Sequence, residues 1–118
     1  MPKYILELHE PPVGKGTDIS PEEMQQMIAE YTEWSRKMGQ AEIVVDGWKL
    51  TNEGGKHLVA KGGKVAVTDG PYSEAKEILA GLFLIQARDY DHAAEVAQSC
   101  PHMKFGRIVI RQVDMMEE

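Results

Sequence analysis

Apolar and polar residues alternate along KYILELH, residues 3 to 9, so that Tyr4, Leu6 and Leu8 share one face and Ile5, Glu7 and His9 the other. A period of two predicts a strand with one apolar and one mixed face. The period lengthens after a Pro/Gly loop at residues 11 to 17. Ser20-Pro21-Glu22-Glu23 reads as a helix start, with Ser20 as N-cap, Pro21 in the first turn and Glu23 completing a capping box. Met24, Met27, Ile28, Tyr31, Trp34 or Ser35, and Met38 recur at helical spacing, which marks core packing, and Gly39 supplies the stop.

Residues 41 to 50, AEIVVDGWKL, predict a second strand, with Gly47 marking a bulge or bend. HLVAK and KVAVT, joined through Gly62-Gly63, predict a hairpin, because a Gly pair tolerates the positive φ of a tight turn. The run from Ile78 to Ala87 is apolar on both faces, as expected of a strand buried on both. Asp89 caps a second helix over residues 90 to 99, ended by Pro101, and RIVIRQV at 107 to 113 predicts a last strand before an acidic, frayed tail. The order β-α-β, hairpin, β-α-β matches a ferredoxin-like α+β sandwich with an inserted β-hairpin, a single domain over residues 1 to 118. Two helices cover only one face of a four-stranded sheet. A second copy of the chain is the simplest cover for the other face, so a homodimer is expected.

Charge narrows the partners. Thirteen Lys and Arg against nineteen Asp and Glu give a net charge of −6, without a basic run, so nucleic acid is not an expected partner. MPKYILELHEPP lacks the apolar length of a signal peptide or membrane span. A single cysteine, Cys100, excludes an internal disulfide framework, and together these features predict a cytoplasmic protein.

Between the hairpin and the doubly apolar strand lies DGPYSEAKE, residues 69 to 77. With its flanks, KVAVTDGPYSEAKEILAGLFLI, it resembles the signature of the YCII-related family, in the branch called DGPF-domain proteins. The family motif falls on Asp69, Gly70, Pro71, Tyr72, Glu74, Lys76 and Glu77, with Tyr72 where Phe is usual. The likeness runs through the KYIL strand, the SPEEM helix start, Gly47 and Leu50, DYDHAAEVA, Cys100-Pro101 and the closing VIRQV, where Gln112 replaces a frequent Pro. It implies a dimeric α+β barrel, two ferredoxin-like sheets packed face to face. Its implication for chemistry is narrower. Some YCII-like members are lyases or resemble muconolactone isomerases, with a His on the first helix and an Asp before the Pro after the second. Here the first helix has no His, and Cys100 precedes Pro101, so that dyad does not transfer.

The side chains of the motif each admit two readings. Asp69, at a strand end before Gly-Pro, is either a catalytic general base or partner of Lys76 or Arg111, or an Asx-turn residue accepting from the Tyr72 N–H. Glu74, Lys76 and Glu77 either form a solvated turn capped by Ser73, or Lys76 and Glu77 pair across the dimer or line a cleft. Tyr72 is a lid over the core or a proton donor, and Arg111 an edge residue or an anion ligand. His9, His57, His92 and His102 show no metal-ligand spacing, although His9 follows Glu7 on one strand face. Cys100 at a helix C-terminus is poorly placed for a thiolate, and no nucleotide-binding Gly motif occurs, so neither a metal nor a cofactor is expected. Two functions follow. One is a small-molecule binder, for a ligand of acidic character, or a weak lyase or isomerase with a cleft lined by Asp69, Tyr72, Trp48, His9, Lys76 and Arg111. The other is a non-catalytic interaction module, such as an accessory to an extracytoplasmic-function sigma factor, a partner the resemblance implies for part of the branch.

Overall fold

A computed structural model describes residues 1 to 12, 19 to 70 and 76 to 115. Its elements are β1 (Lys3–Glu10), α1 (Pro21–Gln40), β2 (Val44–Lys49), β3 (Lys56–Lys61), β4 (Lys64–Asp69), β5 (Ile78–Gln86), α2 (Tyr90–Gln98), a 3₁₀ turn (Pro101–Lys104) and β6 (Arg107–Gln112). Four strands form an antiparallel sheet in the order β2-β5-β1-β6, while β3 and β4 pair only with each other as a separate hairpin. Numbered without the hairpin, that order is the 4-1-3-2 arrangement of a ferredoxin-like α+β fold.

The local signals for these elements are visible in atoms. Ser20 Oγ accepts from the Glu23 N–H at 3.2 Å, and Asp89 caps α2 by accepting from the His92 N–H at 2.8 Å. Gly62 and Gly63 stand at φ 56° and 78°, the left-handed pair a two-residue hairpin turn needs. Two expectations shift. α1 ends one residue past Gly39, and Glu42 takes the positive φ of 60° that was expected of glycine, which delays β2 to Val44. The pairing of β2 with β5 is broken at Val45, not Gly47. Gly47 serves another purpose: a Cβ there would lie 2.6 Å from the Phe83 ring, which rests on this bare backbone and meets Trp34 edge-on at 5.0 Å.

The core lies between the helices and one sheet face. Tyr4, Leu6 and Ile85 pack with Trp34, Ala93, Val96, Ala97 and Cys100, and Ile108 and Ile110 close the far side. Trp34 Nε1 donates to Ser99 Oγ at 2.8 Å, which ties α1 to the end of α2. Met24 and Ile28, expected in the core stripe of α1, are exposed instead. The buried face of α1 is therefore narrower than the apolar pattern of its sequence.

Among the described residues, no helix lies on the other sheet face. Across it run two rows of cross-strand neighbours, Asp46-Leu84-Ile5-Arg111 and Trp48-Leu82-Glu7-Val109, read from the strand register. The centre of this face is largely apolar, as the doubly apolar β5 predicts, with Asp46 and Arg111 at the ends of one row and Glu7 within the other.

Candidate functional site

The open face acquires chemistry at the end of β1. Leu8 faces Gly81 and His9 faces Leu79, so a bulge there leaves Ala80 without a partner on β1. Bulges re-aim side chains where pairing would otherwise run on regularly. His9 lies on the same face as Glu7, and its Nε2 is 3.1 Å from Glu7 Oε1. When His9 donates Nε2–H to the carboxylate, Nδ1 is left as an acceptor with no partner among the described residues, the arrangement in which a carboxylate orients an imidazole for proton abstraction.

His9 is held from behind. His102, 2% exposed, donates from Nε2 to the His9 carbonyl at 2.8 Å and accepts from the Tyr31 hydroxyl on Nδ1 at 2.9 Å. A backbone carbonyl can only accept, so neutral His102 carries its proton on Nε2 and Tyr31 is the donor to Nδ1. Burial pushes the Tyr31 phenol above its ordinary range, which keeps it protonated. Gly106 completes the support, since a Cβ at this position would collide with the His9 carbonyl.

Beyond His9 the motif reaches the same face. Arg107, opposite His9 on β6, donates from Nε to both carboxylate oxygens of Glu77 at 2.7 and 2.9 Å. Glu77 immediately precedes β5, and β1 lies between β5 and β6. The ion pair therefore reaches across the end of β1 and ties the motif's last carboxylate to β6.

Asp69 and Gly70 do something different. Asp69 is the last residue of β4 and pairs with Lys56 of β3, its register partner, with its side chain 83% exposed. Neither Lys76 nor Arg111 is its partner, because the hairpin register puts Lys56 opposite it. The Gly70 N–H donates to the Gly55 carbonyl at 3.1 Å, and a Cβ on Gly54 would lie 2.6 Å from the Gly70 carbonyl oxygen. This half of the motif closes the base of the hairpin, where two backbones cross too closely for any side chain. Pro71, Tyr72, Ser73 and Glu74 lie outside the described residues, and with them the lid, donor, capping and Asx-turn readings.

The expected cleft is thus only partly assembled. His9 and Trp48 share the open face, Trp48 being one cross-strand step from Leu82, which faces Glu7. Arg111 is on that face too, but opposite Ile5, four residues from the His9 position or about 13 Å along the strand. Among the described residues neither Arg111 nor Lys76 forms an ion pair, and both are exposed. Glu77 pairs with Arg107 of its own chain. The residues that sequence reasoning missed are Arg107, Tyr31 and His102; the first shares an alternating face with Arg111, while the other two meet across 71 residues with no local signal.

Among the described residues no group of three or more His, Cys, Asp or Glu is placed to hold a metal ion. Cys100 is buried, and burial raises its thiol to about 11, so it is no nucleophile at neutral pH. No helix among the described residues is long and apolar enough to cross a membrane.

With this arrangement in view, the comparison with known families is decisive: the sequence matches the YCII-related domain over residues 4–117. The chain belongs to that family. No curated protein shows significant similarity to it. Within this YCII-related domain, the two halves of the motif divide between the hairpin base, at Asp69 and Gly70, and the open sheet face, at Glu77.

Proposed function

We propose that this YCII-related protein is a cytoplasmic homodimer, closed through its open sheet faces, that binds a small molecule at the Glu7–His9 end of the face. The observation that carries the reading is the hydrogen-bonded Glu7–His9 pair on a face otherwise apolar at its centre. A second copy laid on that face would exclude water from the pair, and an imidazole oriented by a carboxylate then suits abstraction of a proton from a carbon acid, as in a lyase or isomerase. Lys76, next to Glu77 and unpaired among the described residues, supplies positive charge for an acidic ligand, while Arg111 lies at the other end of the face. Asp69 has no place in this site, because its carboxylate is spent on the hairpin.

A thermal-shift screen of small carboxylic acids and lactones tests it, since a ligand that binds only the folded protein raises its melting temperature. The expected hit loses its shift in His9→Ala and keeps it in Asp69→Asn. A hit indifferent to His9→Ala places the ligand elsewhere. The projecting hairpin favours a second reading, a non-catalytic interaction module of the sigma-factor accessory kind. That reading gains if no compound shifts the melting temperature and the purified protein captures a sigma factor.

A further inference from the structure

The hairpin β3–β4 stands apart from the body. All twelve of its strand residues are exposed, and its strands pair only with each other. Its two faces nevertheless differ. The register Lys56↔Asp69, Leu58↔Val67, Ala60↔Val65 puts one ion pair and two apolar pairs on one side, while His57↔Thr68, Val59↔Ala66 and Lys61↔Lys64 make the other side polar toward the tip. Leu58, Val65 and Val67 on the first side are 64%, 60% and 60% exposed. A two-stranded ribbon is at best marginally stable in water without something against its apolar face.

We infer that this apolar side, Leu58, Ala60, Val65 and Val67, docks on a second copy of the chain. The inference rests on the dimer proposed above and adds an arm to its interface. Two magnitudes favour a second copy. The chain exposes 8357 Å², against about 6,400 Å² for a compact monomer of its mass. Its radius of gyration is 16.5 Å, against about 13.5 Å for a compact chain of its length. The surplus, about 1,900 Å², exceeds the ~800 Å² per partner that a standard stable interface hides. Charge points the same way. Residues 56 to 69 hold three Lys and one Asp, a net +2, so the remaining residues, with ten Lys and Arg and eighteen Asp and Glu, carry −8. A cationic arm on an acidic body is drawn to another copy of that body. The excess charge sits on Lys61 and Lys64 at the tip of the other side, so it steers the arm toward an acidic body without interrupting the apolar face that docks.

Sedimentation over a concentration series tests the arm, with circular dichroism to confirm folding. Leu58→Asp and Val67→Asp, at exposed positions, should weaken the dimer at least tenfold, whereas Val59→Asp on the opposite side should change it less than twofold. Equal effects from the two sides, or none from either, overturn the docked face. Leu84→Gln, in the centre of the open sheet face, separates this from the parent reading. If Leu84→Gln dissociates the dimer and the arm variants do not, the sheet interface stands and the arm inference fails. A wild-type chain that stays monomeric at tens of micromolar overturns both.

Discussion

Cys100 shows how a single side chain reports on burial. Burial pushes its thiol up from an ordinary value of 9.0 to about 11, so the folded state favours the protonated form. The resulting stability is complete below pH 9 and is lost as pH rises through 11, because the unfolded chain releases its proton first. Tyr31, raised for the same reason, acts in the same direction. Melting measured from pH 8 to 11 should therefore show a loss of about 2 kcal/mol that Cys100→Ala lacks. A Cys100→Ala protein with the same alkaline slope would shift the cause to other groups. Asp69 is the opposite case. Its pairing with Lys56 is exposed to solvent, and exposed ion pairs contribute little, so Asp69→Asn should cost less than about 1 kcal/mol in urea unfolding. A cost above about 2 kcal/mol would mean that the carboxylate has a buried partner.

Helix starts and the hairpin base are where short sequence signals act most directly on an element. Ser20 Oγ and the Glu23 backbone N–H form one half of a capping box, while Ser20 Oγ also donates to Glu23 Oε1 at 3.1 Å. Removing the cap with Ser20→Ala should cost about 1 kcal/mol of unfolding free energy. An unchanged midpoint would mean that the first turn of α1 is frayed and that the tie between Trp34 and Ser99 anchors the helix. Midway along α1, Lys104 donates to Glu30 at 2.7 Å, and this bond holds the pKa of the Glu30 carboxyl below its usual range. The pair joins α1 to the turn that carries His102, so the support of His9 is anchored in both helix-side elements.

The proposed dimer rests on the two rows across the open face. Asp46 and Arg111 end the same row, Asp46-Leu84-Ile5-Arg111, at opposite edges of the sheet. A two-fold axis running along the strands exchanges the edges and keeps the row, which brings Asp46 over Arg111 of the partner subunit. Such a dimer should bury about 1,000 Å² or more in total and scatter light as a dimer at micromolar concentration. Asp46→Arg should weaken it, and the double variant Asp46→Arg with Arg111→Asp should restore it, because like charges at the corner are replaced by opposite ones. Failure of the double variant to restore the dimer would exclude this axis while leaving other face-to-face arrangements open to crystallography.

The elements were legible in the chain because each rests on local chemistry: period-two alternation in β1, the Ser20 and Asp89 caps, the Gly62-Gly63 turn, and the doubly apolar run that became β5. The uncovered sheet face was legible too, from the count of helices against a strand apolar on both sides. The roles within the motif were not. Asp69 finds Lys56 only through the hairpin register, and Glu77 finds Arg107 only because β1 lies between β5 and β6. The link from Tyr31 through His102 to His9 joins a helix, a 3₁₀ turn and a strand that no spacing rule connects. Local periodicity sets which atoms each segment offers, whereas which of them meet depends on strand order and register, and these are fixed by how the segments pack together.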